Sequence, residues 1–564
     1  MRSSHLILAG LVVSVAPAQV TLPAILSDHM VLQRNAPIRI WGRASDGESV
    51  TVEFRDQSVS TTATGGQWRV ELAPEPAGGP DALTVRGTNT VTLDDVMVGE
   101  VWLCAGQSNM HQRLELYATG RAALPTAGEY NLRLHRVDRQ PGSWVDSQPE
   151  TAHSFSAIGF FFGRDLSEGV FGRSMTIGLI QAAKSGTLVE EWLPGGPQFE
   201  TLIRRVIPLP IRGVIWYQGE ADTNPDPRQP DLAHDYASRF RRVVREWRSA
   251  WGHGNFPFLF CQLPAYTRGL NYWPELREAQ LDALAEPNTA MACQIDVLAT
   301  HLHPPNKLLM GQRLGAAAQR IVYGANGPPM GPIYAPHSSG PVGDEFVVGF
   351  EHVGSGLHVP GGRLTGFEIA DASLRFVPGN ARLHGDTVVV SAPGVMSPVA
   401  VRYAWGVTPA FSLFNREGLP ASPFRTAARF EQFGSGCGGA PPGHLESTLL
   451  PRASRHFEVR LSQLAPGQPG VLLLGASHES WLDLPLPMPL GALQLPGCEL
   501  LVSGEARLGF TTDSSGDATL RMRLPAVGSV LGVELFVQGI ALCPGVTAAG
   551  LCLTHAGRAV VGPR

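Results

Sequence analysis

The sequence predicts a multidomain protein in which a doubly wound, parallel-sheet α/β domain is flanked by β-sandwich domains and followed by an all-β C-terminal module. Three observations predict this fold class. The 564 residues exceed the roughly 250–300 that one hydrophobic core holds. Residues 96–330 alternate short apolar runs with helical patterns, as βαβ units do. The flanking segments alternate apolar and polar positions between glycine-rich turns, which is typical of half-buried antiparallel strands.

The first 18 residues have the pattern of a signal peptide. Arg2 supplies a positive start, Leu6 to Val15 is apolar, and Ala16-Pro17-Ala18 ends the segment with small residues. About ten apolar residues are too few to span a bilayer, which takes about 20, and no later stretch reaches that length. We therefore expect a secreted or periplasmic protein that does not span a membrane.

The alternating patterns divide the rest of the chain into five segments. We expect a β-sandwich at 19–95, the α/β domain at 96–330, a second β-sandwich at 331–433, a glycine-rich linker at 434–442 and a β-rich module at 443–564. In the α/β domain the predicted strands contain Val101–Ala105, Ile177–Ile180, Gly213–Tyr217 and Phe258–Cys261. An amphipathic helix is predicted from Leu232 to Trp251, because apolar residues recur there at helical spacing.

Charge and cysteine content exclude several classes of protein. The net charge of −5 is small and sits on no single segment, so we predict no nucleic-acid partner. Three cysteines, Cys104, Cys261 and Cys293, lie in apolar runs and are expected to be buried free thiols. The four cysteines after residue 430 form an even set, which favours disulfides in an oxidising compartment with the pairing left open. No CxxC pair or Cys/His zinc spacing occurs, so we predict no metal.

Four segments carry residue types suited to nucleophilic catalysis. The strand at Val101–Ala105 runs into Gly106-Gln107-Ser108-Asn109, which places the Ser108 hydroxyl and backbone N–H where a strand turns into a helix. Gly186 offers a backbone N–H after the second strand, and Gln218 offers an amide after the third. His303 lies on a loop just before a late helix, where it is suited to take a serine proton.

Together these segments resemble a known family. GEVWLCAGQSNM (residues 99–110), GVIWYQGE (213–220) and HPPNK with GQRLG (303–315) are similar to signature segments of the sialate O-acetylesterase family of SGNH hydrolases. Three further segments are also similar to that family: LPAILSDHMVLQR (22–34), WPELREAQ (273–280) and VRYAW…LFNREGLPASPFRT (401–426). The resemblance therefore covers about residues 20–430. It implies a secreted serine esterase that removes acetyl groups from sugars without a cofactor. The last 130 residues lie outside it and are similar to β-rich modules of secreted bacterial proteins.

The resemblance also implies a role for each site residue. Ser108 attacks the acetyl carbonyl and His303 takes its proton, while the N–H groups of Ser108 and Gly186 and the Gln218 side chain hold the oxyanion. Two positions depart from the family pattern. Ser185 replaces the first of two glycines, and Thr300 stands where an acid normally precedes the histidine by three residues. Asp296 is the nearest upstream carboxylate, so either Asp296 or a backbone carbonyl orients His303.

Three functions remain open from the sequence. An esterase for O-acetylated sialic acids is favoured by the resemblance, whereas an acetylxylan-type esterase would carry the same catalytic segments. A secreted carbohydrate-binding protein with a degenerate active site is the alternative from another class, and the departures at Ser185 and Thr300 are its support. The physiological sugar and the oligomeric state do not follow from the sequence.

Overall fold

A computed structural model describes residues 19–562, except 139–141, 224–231, 270–271, 372, 374, 427–428, 439–441, 450, 452–455 and 526–532. The predicted signal peptide therefore lies outside the described residues, as does part of the predicted linker. Among the described residues, no helix is long and apolar enough to cross a membrane.

The N-terminal region consists of β-strands joined by short turns. They are β1 (Val31–Gln33), β2 (Ile38–Arg43), β3 (Ser49–Phe54), β4 (Gln57–Thr62), β5 (Gln67–Leu72), β6 (Gly78–Arg86) and β7 (Thr90–Gly106). Strand β2 pairs with β5, and β3 pairs with β4 and β6, all antiparallel. The first half of β7 pairs with β6, whereas its second half enters the central sheet. The predicted boundary between residues 95 and 96 thus falls inside one continuous strand.

The central region alternates strands and helices. Its strands are β8 (Leu132–Arg136), β9 (Val145–Asp146), β10 (Ile177–Ala183), β11 (Gly213–Tyr217), β12 (Phe258–Cys261), β13 (Ala265–Tyr266), β14 (Thr289–Ala292) and β15 (Leu298–Ala299). Its α-helices are α1 (Ser108–His111), α2 (Ala118–Ala123), α3 (Pro149–Ala152), α4 (Ala157–Gly169), α5 (Leu232–Trp251), α6 (Trp273–Leu281) and α7 (Lys307–Ile321). The four strands and the long helix predicted from the sequence are all present.

The order of the central strands is β14-β12-β11-β7-β10-β8-β9, and all pairs are parallel except β8 with β9. From β7 the chain first forms β8 and β9 on one side, returns to place β10 between β7 and β8, and then crosses to the other side of β7 through β11. A site at such a reversal lies outside the carboxyl ends of the strands, which is where doubly wound sheets bind their ligands. Ser108, Gly186 and Gln218 follow the carboxyl ends of the three adjacent strands β7, β10 and β11.

Helix α5 covers one face of this sheet with aromatic side chains. Trp216 of β11 stacks against Phe240, with ring centroids 5.8 Å apart, and meets Trp247 edge-on at 5.6 Å. All three side chains are fully buried. Because each large aromatic side chain buries 150–250 Å², this packing accounts for the helical stripe seen in the sequence.

A third region of short strands follows the central sheet. Its strands are β16 (Ile333–Val342), β17 (Glu345–Glu351), β18 (Leu357–His358), β19 (Phe367–Ala370), β20 (Val377–Pro378), β21 (Asn380–His384), β22 (Thr387–Ser391), β23 (Ala400–Tyr403), β24 (Phe414–Asn415) and β25 (Phe424–Arg425). They form two four-stranded antiparallel sheets and one two-stranded sheet around a separate apolar cluster. Cys293 and Ile295, from the loop after β14, contribute to that cluster.

The C-terminal region is also built of strands. They are β26 (Arg429–Phe433), β27 (His444–Leu449), β28 (His456–Ser462), β29 (Pro469–Gly475), β30 (Ser480–Trp481), β31 (Leu484–Pro485), β32 (Met488–Pro489), β33 (Glu499–Leu500), β34 (Ala506–Thr511), β35 (Ala518–Arg523), β36 (Glu534–Leu542) and β37 (Leu551–Val560). Strand β26 pairs with β37, so residues 429–433 belong to this region and not to the sheets before it, where the sequence pattern had placed them. The region contacts α5 through Glu446, which accepts hydrogen bonds from Arg241 and Arg245 at 3.0 Å each.

The cysteines divide as predicted. Cys104, Cys261 and Cys293 are buried free thiols. Two disulfides join Cys437 to Cys498 and Cys543 to Cys552, both within the C-terminal region. Cys437 also exchanges backbone hydrogen bonds with Leu553, so this part of the predicted linker is fixed to the last sheet.

Gly106 is required at the end of β7, where its φ is +129° and an added Cβ would overlap the carbonyl oxygen of Tyr217. We expect Gly106→Ala to lower the free energy of unfolding by about 3 kcal/mol, from backbone strain and overpacking together. Urea unfolding followed by tryptophan fluorescence measures this loss. Gly509→Ala is the matched control, since a Cβ there meets nothing within 4 Å. Equal stability of the two variants would contradict the requirement.

Candidate active site

Ser108 occupies the turn between β7 and α1. The turn is held to the neighbouring strand by Gln107, whose backbone N–H donates to the carbonyl of Tyr217 at 2.8 Å. Ser108 is the first residue of α1, so its backbone N–H has no acceptor within the helix. Among the described residues neither this N–H nor the Ser108 hydroxyl has a hydrogen-bond partner, and the residue is 6% exposed. The turn therefore presents a hydroxyl and an unused N–H together.

Gly186 lies in the loop after β10, with a left-handed φ of +74°. The loop is anchored at its start, where the N–H of Lys184 donates to the carbonyl of Gly106 at 2.9 Å. It is anchored again where the carbonyl of Thr187 accepts from the amide of Gln218 at 2.9 Å. Within the described part of the chain the N–H of Gly186 has no acceptor, so it is a second unused donor beside the Ser108 turn.

Gln218 is fully buried after β11, and its amide is already engaged. The amide nitrogen lies 3.2 Å from the side-chain oxygen of Gln107, 2.9 Å from the carbonyl of Thr187 and 2.5 Å from Asp222. A primary amide has only two N–H hydrogens, so these three acceptors use both. The structure thus makes Gln218 a support of the Gly186 loop, and an oxyanion role would require one of these bonds to be exchanged.

His303 is held against the Ser108 turn by two contacts. Asn109 donates to the carbonyl of Leu302 at 3.1 Å, and the Gln112 amide nitrogen lies 3.5 Å from His303 Nδ1. The other ring nitrogen, Nε2, is buried and has no partner among the described residues. Burial lowers the pKa of His303 from its ordinary value, and the nearby Lys307 lowers it further, so both favour the neutral ring.

The structure does not bring Asp296 to His303. Both Asp296 oxygens accept hydrogen bonds from the guanidinium of Arg313 on α7, at 2.7 and 2.5 Å. The same guanidinium donates to the carbonyl of Cys293 at 2.6 Å. Asp296 therefore fixes the loop before the histidine to α7, and the described partner of the His303 ring is the neutral side chain of Gln112.

A buried cluster of charged and amide groups lies next to Ser108. Asn109, the residue after the serine, donates to Glu220 through its amide nitrogen and accepts from Lys307 through its amide oxygen. All three residues are at most 4% exposed. Burial raises the pKa of Glu220 to about 7 and lowers the pKa of Lys307 to about 7, and their mutual attraction opposes both shifts. The Lys307 ammonium also lies 5.3 Å from the ring centre of Tyr117 and 5.8 Å from that of Tyr217.

A second polar group borders the Gly186 loop. His111, three residues after Ser108, has Nδ1 at 3.3 Å from Ser185 Oγ and Nε2 at 3.5 Å from Asp138. Arg136 donates to both oxygens of Asp138, at 3.1 and 2.8 Å. Ser185, which replaces a family glycine, thus has a specific partner here.

The sequence reasoning missed Asn109, Gln112, Glu220 and Lys307, although three of them stand inside the motifs quoted above. A signal was available, because Glu220 and Lys307 are charged residues in the same short segments as the predicted site residues Gln218 and His303. Charges in such places are paired or hydrogen-bonded, which implies a partner from another segment.

One group of described residues has the atom types of a metal site. His29, Asp95 and Asp146 bring three ligand-type atoms within 4.8 Å of one another. Arg133 donates to Asp95 at 2.7 Å and forms an ion pair with Asp146 at 3.2 Å. The Arg133 guanidinium therefore already neutralises charge on both carboxylates. We assign this group to an ion-pair network.

The doubly wound sheet, with Ser108 at its switch point and His303 on the late loop, has the arrangement of SGNH-type esterases. A family model for carbohydrate esterases, described as sialic acid-specific acetylesterase, matches residues 98–320. A carbohydrate acetylesterase from Xanthomonas citri is 35% identical, with a TM-score of 0.68 over 72% of this chain and 99% of that one.

Mammalian proteins are also similar. The sialate O-acetylesterase of Homo sapiens is 27% identical in an alignment of 379 residues that covers 53% of this chain and 70% of that protein. The mouse protein of the same name is 26% identical over 402 residues. The chain belongs to the sialate O-acetylesterase family of carbohydrate esterases, and it is a carboxylic ester hydrolase.

The position of Asp296 predicts a graded effect of mutation. We expect His303→Ala to lower kcat/KM by about 10²–10⁴, the usual contribution of a general base. Asp296→Asn should lower it less than about tenfold, because the carboxylate holds Arg313 and not the imidazole. Glu368→Gln is the matched control, since Glu368 makes a similar two-bond pair with Arg402. If Asp296→Asn were as inactive as His303→Ala, Asp296 would be a full catalytic member.

The charge on Lys307 predicts a shift in the pH profile. A histidine base works when neutral, so kcat/KM should fall as the pH drops through the lowered pKa of His303, below the ordinary 6.5. Lys307→Met removes the positive charge, which raises that pKa and moves the acid limb to higher pH. Lys307→Arg keeps the charge and should keep the acid limb low even where turnover falls. An unchanged acid limb in folded Lys307→Met would exclude this electrostatic coupling.

Proposed function

We propose that this enzyme hydrolyses O-acetyl esters of carbohydrates through an acyl-enzyme on Ser108, with His303 as the base. The observation that carries the proposal is the convergence of unused groups at the switch point. These are the N–H groups of Ser108 and Gly186 and the Nε2 of His303, none of which has a hydrogen-bond partner in the described part of the chain. The buried Nε2 in particular calls for an explanation, and a role as base for the Ser108 hydroxyl supplies one.

The acylation step uses these groups in order. His303 Nε2 takes the proton from Ser108 Oγ as the oxygen attacks the acetyl carbon, and the carbonyl oxygen becomes an oxyanion. The N–H groups of Ser108 and Gly186 donate to that oxyanion, and each such donor is typically worth about 10²–10³ in rate. The C–O bond to the sugar then breaks, and the sugar oxygen takes the proton from His303. Deacylation repeats the sequence with water as the nucleophile, and acetate leaves.

Gln112 takes the place that a carboxylate has in a full triad. For His303 Nε2 to act as the base, the ring proton must sit on Nδ1 and be accepted by a neighbour. The Gln112 side chain lies 3.5 Å from Nδ1, and turning its amide over presents the oxygen to Nδ1–H. A neutral acceptor orients the ring but stabilises the imidazolium less than a carboxylate does, so we expect slower acylation than in a Ser-His-Asp enzyme.

We propose O-acetylated sialic acids as the substrate and export as the location. The family of the enzyme and the names of its mammalian relatives support the substrate. Acetylated xylan remains the alternative, because the same groups would release acetate from either sugar. The two disulfides of the C-terminal region and the signal-peptide pattern support export to an oxidising compartment.

We also propose a division of the chain into four folding units. The N-terminal strands, the α/β unit and the third region would end near residue 426, and the C-terminal unit would begin with β26. The separate apolar clusters of the third and last regions support this division.

Replacing the nucleophile tests the proposed function. Ser108→Ala should stay folded and lose acetate release from p-nitrophenyl acetate by about 10⁴-fold or more. Ser60→Ala, an exposed serine on β4, is the control and should match the wild type. A serine-directed phosphonate should label Ser108 in the wild type alone.

A panel of natural esters then separates the substrates. We expect faster acetate release from 9-O-acetylated sialic acid than from acetylated xylan, and the reverse would assign the enzyme to plant polysaccharide. No turnover on any ester by folded wild-type protein would favour the carbohydrate-binding alternative, and an adduct at another residue would overturn Ser108.

A further inference from the structure

A cavity of about 670 Å³ lies away from the esterase site, between the N-terminal strands and the segment leading into β11. Pro208, which comes before the first residue of β11, forms one wall. Ser108, Gly186 and Gln218 instead follow the carboxyl ends of the strands. The volume is within the 300–1,000 Å³ typical of ligand pockets.

The opposite wall is one face of the β2–β5 pair. Trp41 lies directly across from Arg69, and Arg43 lies directly across from Gln67. Side chains two residues apart on a strand share a face, so these four project together into the cavity. Trp68, on the alternate face, is buried in the core and also lines part of the cavity.

The charge on this wall is unbalanced. Among the described residues, the Arg43 and Arg69 guanidiniums have no ion-pair or hydrogen-bond partner, and no carboxylate lines the cavity. The nearest acid on the same face, Glu71, is already paired with Arg39 at 3.0 Å. A guanidinium is planar and matches a carboxylate with two parallel N–H donors, so this wall is suited to a carboxylated ligand.

Trp41 extends the surface into a neighbouring cavity of about 230 Å³, which Trp41 and Pro23 also line. Arg205 belongs to this second cavity, and its described lining also contains no carboxylate. Trp41 is half-buried, so one indole surface packs on the protein while the rest faces the cavities. Aromatic side chains with an apolar face and a polar N–H suit a sugar ring, whose faces carry C–H groups and whose edge carries hydroxyls.

We propose that this cavity is a second glycan-binding site for carboxylate-bearing oligosaccharides, in which Arg43 and Arg69 bind carboxylates and Trp41 stacks on a sugar ring. This proposal rests on the proposed function in one respect only, namely that the substrate of the enzyme is a glycan. Sialylated and hexuronate-containing glycans both present sugar carboxylates. The proposal therefore assigns carboxylated glycans as the ligand class, and the experiment below distinguishes the two kinds.

Binding to Ser108→Ala protein tests the site without requiring turnover. Isothermal titration would use a sialylated oligosaccharide, a hexuronate oligosaccharide, a neutral xylo-oligosaccharide and a sulfated oligosaccharide of similar length. We expect binding of one or both carboxylated ligands, weakened about tenfold or more by the added Arg43→Ala and Arg69→Ala pair. Trp41→Ala should weaken it similarly, whereas the exposed Arg363→Ala, outside both cavities, should not.

Several outcomes would overturn the proposal. These are no binding of either carboxylated ligand, equal binding of the neutral one, equal binding of the sulfated one, or affinity unchanged in the folded double-arginine variant. In otherwise wild-type protein, the Arg43→Ala and Arg69→Ala pair should leave kcat/KM on p-nitrophenyl acetate unchanged. If Ser108→Ala loses esterase activity but still binds the glycan, both proposals are supported. The two readouts are independent, so a failure of the esterase proposal would not change the binding result.

Discussion

The hydrogen bonds of Asn109 to Lys307 and Glu220 are the interaction on which the active site depends. Asn109 is 111 residues from Glu220 and 198 residues from Lys307 in the chain, yet all three are buried together. Removing one member would leave a buried charge or amide without a partner, which typically costs several kcal/mol. The cluster therefore fixes the serine turn, the end of β11 and the start of α7 relative to one another, and His303 lies four residues before Lys307.

This arrangement has an electrostatic consequence for the base. A cation beside His303 and a neutral partner on Nδ1 both favour the uncharged imidazole, whereas the carboxylate of a full triad favours the imidazolium. In the proposed role of His303 as base, the lowered pKa keeps the ring neutral at lower pH but makes it a weaker base, and a weaker base gives slower proton transfer. The proposal therefore assigns a larger share of the catalysis to the proposed oxyanion donors, the N–H groups of Ser108 and Gly186, which have no other partner among the described residues.

The sequence was sufficient to predict the elements that depend on a local pattern of residues. Apolar runs predicted β10, β11 and β12, and helical spacing predicted α5, because burial against the central sheet produces those patterns directly. Partner choice depends on long-range geometry, and there the sequence was insufficient. Asp296 was the nearest acid upstream of His303 in the chain, yet both of its oxygens accept hydrogen bonds from Arg313 on α7. The boundary near residue 433 was misplaced for the same reason, since β26 pairs with a strand more than a hundred residues later.

The candidate esterase site and the cavity lined by Trp41, Arg43 and Arg69 lie toward opposite ends of the central strands. This separation limits how one glycan can occupy both sites. A strand of five residues such as β11 spans about 17 Å, so a single chain occupying both sites must be longer than that and must pass around the sheet edge. Shorter ligands can only occupy one site at a time. For a polymer, binding at the cavity raises the local concentration of its other segments near Ser108, and the gain depends on how well the free length matches the span. At the proposed site, arginines without a partner among the described residues would favour acidic polymers over neutral ones before any ester is cleaved. Selection by charge and selection by ester chemistry would then be carried out by different parts of the molecule.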